Sequence, residues 1–550
     1  MKKMTLKYTW LSVVFIGLVA CDVNNDLDPI TEKIQKETII SLESGSADFS
    51  NYVAVGASFT AGYTDGAVFK EAQKNSFPAT LASKFAMAGG GEFTQPLMND
   101  NFGGFTIAGK VSGAPRFYFN GSAPVVLAAT PTTEISNIKA AAYNNMGIPG
   151  LKSYHLGVKG YGALAGLPNA NPYFIRMASS PMASVLEDVI TQNPTFFSLS
   201  EIGGNDLLSY AVSGGVGVDQ KGNLNPATYG SKDITDPTVF ASIFSRTVTA
   251  LTSNGAKGVV ANLPEVTSLP YFTTVPYAPL NPADPAFGTQ IPTLNNVFGA
   301  INGVFEAIGV PERAIVFVTD AANPVVIKDE ALEDKTAQII GTLLASPSFT
   351  AFVAGFGLPT DVSTLQKVAG LLGTYYGQAR QATADDLLVL PSSSIIGKVN
   401  ANSVKFLLSQ GLPAQLAGMF SVEGVSLPLA DKWVLTTKEI EKIKRATTAY
   451  NTTIKNIVTQ KGLAFVDFNA ILKQAATSGL YFDNYNMTTS FVTGGLVSLD
   501  GVHLTARGYA LMANEMLKAI DKTYGSNFES ATNGLAKAAD FPTGYAATLK

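Results

Sequence analysis

Two histidines occur among 550 residues, and one of them closes the stretch Asp500-Gly501-Val502-His503. A carboxylate three positions before an imidazole, in one short loop, can orient the ring and stabilise its cation, which is what a general base requires. The other histidine, His155, has no carboxylate within several residues on either side. Far upstream, Ser58 lies in Val55-Gly56-Ala57-Ser58-Phe59-Thr60-Ala61-Gly62, where flanking glycines suit a sharp turn that exposes a hydroxyl. Asn205 follows two glycines and offers a side-chain amide among small residues. Asn145-Met146-Gly147-Ile148-Pro149-Gly150 reads as a tight turn whose backbone N–H groups could face the same cleft. A hydroxyl nucleophile, a histidine base, an orienting carboxylate and convergent N–H donors are the parts that acyl transfer to water needs. The pattern calls for no metal and no cofactor, since the histidines stand far apart with no ligand cluster around them.

These residues must be held by elements that the sequence also suggests. Residues 51–56, 195–200, 258–263 and 463–468 read as short buried strands. Helices are predicted over 77–85, where a proline sits in the first turn, and over 239–253, about 437–460 and 504–520. Arg116 to Phe119 and Val125 to Leu127 flank Asn120-Gly121, a hairpin signal. Strands that alternate with helices predict an α/β fold with a mainly parallel sheet, in which sites form beyond the carboxyl ends of strands. Ser58 and Asn205 both follow such ends. Between the third and fourth of these strands, residues 270–436 form a long, apolar, largely helical insertion, readable as a lid or as a packed subdomain. The remainder divides into 51–269, 437–521 and a Gly- and Ala-rich tail, 522–550, with no legible role. Asp206 reads as a helix cap, Asp65 and Asp467 as structural, and Arg507 as surface of the last helix.

Taken in order, the four blocks around Ser58, Gly150, Asn205 and Asp500-Gly501-Val502-His503-Leu504-Thr505-Ala506-Arg507-Gly508-Tyr509 resemble those of the SGNH hydrolases, also called GDSL lipases and esterases. The last block is the most specific. The resemblance covers about 51–275 and 437–520, not the insertion. It implies a three-layer α/β/α, flavodoxin-like fold and a catalytic triad of Ser58, Asp500 and His503. It also implies an oxyanion hole of the Ser58 N–H, the Gly150 N–H and the Asn205 amide. One departure is plain: the family's first block reads Gly-Asp-Ser-Leu, and here it reads Gly56-Ala57-Ser58-Phe59. The missing aspartate bears on the positioning of Ser58.

The ends and the composition narrow the setting. Lys2, Lys3 and Lys7 precede an apolar run from Trp10 to Ala20 that is too short for a bilayer, which takes roughly 20 residues. Leu18-Val19-Ala20-Cys21 resembles the bacterial lipobox, so 1–20 is read as a signal peptide and Cys21, the sole cysteine, as the lipidated residue. Acyl chains on Cys21 would anchor the protein in a membrane, and the implied location is the bacterial outer membrane, on its periplasmic or outer side. Residues 21–50 read as a tether, whose acidic start loosely resembles export signals of surface lipoproteins in Bacteroidota. The formal charge is −4, and removing three lysines with the signal makes it −7, which gives no footprint for nucleic acid. Charged residues are only 15% of the chain, so apolar surface is either buried extensively or put to use. The expected substrate is therefore a small-molecule or lipid ester. Two alternatives stand beside a lipase or esterase: a carbohydrate esterase that removes acetyl groups from glycans, and a non-catalytic lipoprotein that binds a ligand or partners an outer-membrane channel. Only Trp10 and Trp433 are available for sugar stacking.

Overall fold

Five short strands make one parallel sheet: β1 (Tyr52–Gly56), β2 (Asn145–Gly147), β3 (Phe196–Leu199), β4 (Lys257–Ala261) and β5 (Ala464–Val466), in the order β5-β4-β3-β1-β2. The computed structural model describes residues 39–550. The signal read at 1–20 and Cys21 lie outside the described residues. β1 and β3 are buried along their whole length, which explains their near-continuous apolar runs, because a strand covered on both faces loses the alternation of a half-exposed one. The hydroxyl of Ser198 on β3 is matched by Tyr52 Oη of β1 at 2.8 Å.

Four of the five strands were expected. β2 was not: its residues were read as a turn. It has three residues, Asn145-Met146-Gly147, and only its pairing with Ala54, Val55 and Gly56 makes it a strand. That strand completes the doubly wound order 2-1-3-4-5, in which the chain winds outward in opposite directions on either side of the β1–β3 junction. Ser58 follows β1 and Asn205 follows β3, so both leave the sheet at that junction.

Parallel neighbours need crossover connections, and those that run to opposite sides of the junction carry two groups of helices. α1 (Phe77–Ala86) packs with the last helix, α6 (Ala506–Tyr524), on one face. α2 (Gly204–Ala211), α3 (Pro237–Leu251) and α4 (Thr437–Lys461) pack together on the other. There Phe240 and Tyr450 stack at 4.1 Å between ring centroids. α5 (Phe468–Thr477) follows β5 and was not anticipated. It starts at Asp467, whose carboxylate accepts the Ala470 N–H and the Asn262 amide, a structural task as expected. α4 begins where Thr436 and Glu439 form a reciprocal capping box. α6 starts two residues later than the sequence suggested, because the Thr505 hydroxyl accepts the Gly508 N–H and so ends the preceding loop.

Residues 270–436 build a second hydrophobic core around Phe298, Ile301, Phe305, Ile327 and Tyr376. The insertion is not wholly helical: Val326–Lys328 pairs with Ala379–Gln381, and Leu387–Leu388 with Val434–Leu435, the latter pair closing its base. Inside it the Arg380 guanidinium bridges the buried carboxylates of Asp329 and Asp386.

Two boundaries differ from the sequence reading. The tether read at 21–50 stops short of Ser41: Ala47 and Phe49 are buried in the main core, and Ser46 N–H bonds Tyr524 O at 2.8 Å. The tail 522–550 is packed down. Arg116, fully buried, donates to the carbonyls of Asn101, Tyr545, Ala546 and Leu549. Arg507 is not merely helix surface: its Nε donates to Ala538 O and Phe541 O, and its guanidinium lies 3.9 Å from the centre of the Tyr485 ring.

Candidate active site

The turn that carries Ser58 folds back over the end of β1. A Cβ on Gly56 would lie 2.0 Å from Thr60 Oγ1 and 2.8 Å from Ser200 O, so the fold-back requires glycine there. The turn is closed by Ala61 N–H to Ala57 O at 3.1 Å and Tyr63 N–H to Ser58 O at 2.9 Å. Across the junction, Glu201 fastens it: Oε1 accepts the Ala57 N–H at 2.7 Å and the Thr60 N–H at 2.8 Å. Glu201 is buried, and its Oε2 has no partner. Burial pushes its carboxyl up, against the pull of those N–H groups. Sequence reasoning missed this residue. Its signal was a lone acid, Ser198-Leu199-Ser200-Glu201, at the end of a buried strand.

Asn205 sits in the first turn of α2 and donates its amide to Leu151 O at 3.0 Å, which docks α2 on the loop after β2. Beside it Asp206 does not cap α2, whose N-cap is Gly203; it accepts Ser153 N–H and Ser153 Oγ–H at 2.8 and 2.6 Å at the start of the short 3-10 helix Ser153–Gly157 and tightens the same junction. Gly150 stands in that loop, exposed, with φ +80°. Among the described residues, neither the Ser58 N–H nor the Gly150 N–H has an intramolecular acceptor. Asn205 keeps one amide hydrogen beyond the bond to Leu151.

His503 Nδ1 lies 2.9 Å from Asp500 Oδ2. Asp500 also accepts the backbone N–H groups of Val502 and His503 on Oδ1 and that of Gly66 on Oδ2. Burial would push its carboxyl up, but the facing His503 and these N–H groups hold it well below the usual carboxylate range. An ionised carboxylate only accepts, so Nδ1 carries the proton, and in the neutral ring Nε2 is left as the acceptor. The ring is seated against the Ser58 turn, with centroids 5.6 Å from Phe59 and 4.3 Å from Tyr63. α6 fixes this seating: Tyr509 Oη donates to Tyr63 O at 2.6 Å.

The two loops are stitched a second time. Asp65 N–H donates to Ser498 Oγ, and Asp65 Oδ1 accepts Leu499 N–H, both at 3.0 Å. Burial pushes the Asp65 carboxyl up to about 7, with Leu499 N–H opposing and the Asp500 charge adding. His155, by contrast, is held in an aromatic sandwich with Tyr154 and Tyr161, its Nδ1 accepting the Lys152 N–H. Burial pulls its pKa down to about 4.

Ser58, Asn205 and Val502 line one small cavity, whose remaining walls include Phe59, Glu201, Leu208, Leu263, Pro264 and Leu269. No wall residue comes from 270–436. The insertion touches the site at its root, where Tyr271 N–H donates to Gly501 O at 2.9 Å and Leu390 packs close to Gly501. The arrangement thus offers a hydroxyl on a braced turn, a base with its proton on the far nitrogen, and free N–H donors at the sheet's switch point. No protein-family model matches the chain, and no curated protein or solved structure matches it either.

Proposed function

We propose that the chain is a serine ester hydrolase of the SGNH, or GDSL, type, held at a bacterial envelope through Cys21. The observation that carries this reading is the Asp500–His503 pair seated on the braced turn of Ser58. In this mechanism His503 Nε2 takes the Ser58 proton as Oγ attacks the ester carbonyl. The N–H groups of Ser58 and Gly150 and the free amide hydrogen of Asn205 receive the oxyanion. The alcohol leaves with the proton from His503, and water then repeats the attack on the acyl-enzyme. Asp500 stays ionised and stabilises the imidazolium without taking the proton. Glu201 takes over the bracing that the absent block-one aspartate leaves undone, by holding the N–H groups on either side of Ser58. The test is hydrolysis of p-nitrophenyl esters and labelling by a fluorophosphonate probe, with the wild type and Ser58→Ala. Both should vanish in the variant, and undiminished hydrolysis there would sink the assignment.

A further inference from the structure

Two consecutive helices of the insertion, Thr336–Ala345 and Pro347–Gly355, meet at 93°. From Thr336 to Thr360 the sequence holds no Asp, Glu, Lys, Arg or His. Helices that are apolar all round belong in a protein core or in lipid. Ile339, Leu343, Phe349 and Val353 are indeed buried in the insertion's core, but Leu344, Ala345, Ala351 and Ala354 are exposed. Among the described residues no single helix is long and apolar enough to cross a membrane. Beside this pair, Val362–Tyr376, Ala401–Ser409 and Ala414–Met419 close on a seam lined by Phe356, Leu372, Leu407, Leu416 and Phe420. The gap in it is about 30 Å³, too small for a ligand. The same helices leave Val362, Phe406 and Leu408 exposed. Apolar surface of this extent, with no internal cavity to explain it, marks a face that is covered from outside.

Charge indicates what covers it. Between Thr336 and Tyr376 the charged residues are Asp361 and Lys367; Lys398 precedes Ala401–Ser409, and Lys405 lies on it. Asp361 is engaged as a cap, accepting the Thr364 N–H and hydroxyl. Among the described residues the three lysines are exposed and make no ion pair. A chain of net charge −4 thus presents a lobe whose charges are mostly positive. Two copies meeting there across a twofold axis would set lysine against lysine. Anionic phospholipid headgroups would meet the same lysines with opposite charge. Lys405 and Leu408, three apart, share one side of their helix, with Phe406 beside them.

We infer that this lobe of the insertion docks on the surface of an anionic phospholipid bilayer, with Phe406 and Leu408 entering the interface and Lys405 at the headgroups. The inference rests on the envelope placement proposed above. Residues 21–40 lie between Cys21 and the compact unit that begins at Ser41, and a chain that long reaches roughly 70 Å at most. Such a leash gives a weak second contact a high effective concentration of lipid. The contact is separate from the chemistry, since no residue of the lobe lines the Ser58 cavity.

The experiment uses residues 22–550, which lack the lipidated cysteine and keep the whole compact unit. They are sedimented with vesicles of phosphatidylethanolamine and phosphatidylglycerol, about three to one, or of phosphatidylcholine alone. The wild type should bind the anionic vesicles, and more tightly than the neutral ones. Phe406→Asp/Leu408→Asp should lower the anionic partition coefficient about tenfold or more. Lys405→Glu should lower it several-fold at low salt, a loss that high salt removes. Should the double variant fail to fold, Phe406→Trp keeps the bulk, and brominated phospholipid should quench its emission beyond the Trp433 background. Failure of the wild type to bind anionic vesicles overturns the inference, as does full binding by the folded double variant or an unquenched indole at position 406. A dimer that the double variant dissociates, without vesicle binding, also overturns it and assigns the face to a second copy. Palmitate labelling of the full chain in cells, wild type against Cys21→Ala, tests the anchor separately. If Cys21 takes no palmitate, the anchoring reading falls, while vesicle binding by 22–550 still supports the lobe.

Discussion

Glu201 illustrates how a single buried side chain can brace a turn. Its Oε1 serves two N–H groups, so the amide of Glu201→Gln can keep that acceptor, whereas Glu201→Ala leaves both donors unsatisfied. Glu201→Gln should therefore retain most of the wild-type kcat. Glu201→Ala should lose roughly 10²-fold in kcat with a smaller change in KM, since a nucleophile displaced by an ångström loses about that much. Equal losses in both variants would refute the bracing role. Asn205→Ala should lower kcat about 10²–10³-fold while its circular dichroism melt still shows a cooperative fold, because one oxyanion donor typically contributes that factor. Asp65 supplies a pH signature. Its carboxyl is raised from 3.8 to about 7 in the folded state, so the native protein holds a proton that the unfolded chain releases. Stability from this group is complete below pH 4 and is lost as pH rises to 7. Asp65→Asn keeps the acceptor for Leu499 without the charge. Its Tm relative to wild type should rise by several degrees between pH 4.5 and 8, and a pH-independent difference would contradict the burial argument.

At the scale of elements, what could be read from sequence was what is local. Asp500 and His503 share one loop, and their pairing follows from spacing alone. β1 and β3 announce themselves as apolar runs, and α4 as an amphipathic stretch with its cap in place. β2 was illegible because three residues carry no periodicity; its strand character comes from β1 beside it. Glu201 was illegible for the same reason at longer range, since Ala57, its partner, is distant in sequence and adjacent only after the sheet forms. The insertion was readable as a lid or as a packed subdomain, and many of its apolar residues build a core of its own. α6 matters to the site as a positioner, and its first turn depends on Thr505. Thr505→Ala should cost about 1 kcal/mol in urea unfolding, the usual contribution of an N-cap hydroxyl, with activity retained in the folded fraction.

Across the whole molecule, the tail that composition left without a role is a clamp. Tyr545, Ala546 and Leu549 supply carbonyls to the buried Arg116, and Asn101 donates to Lys550 O. Deleting 541–550 leaves that guanidinium short of acceptors and should cost roughly 3 kcal/mol or more, seen as a lower urea midpoint. Ester hydrolysis should fall with it, because the neighbouring Phe117 N–H donates to Asp65 O, in the loop that meets Ser498 and Leu499. The same clamp sets a schedule. Ser58 leaves the ribosome early, while the base that would activate it and the carbonyls that steady its neighbourhood are made hundreds of residues later. A growing chain thus carries the Ser58 turn long before the Asp500–His503 loop that packs on it, and the two meet only once the final stretch has been made and docked.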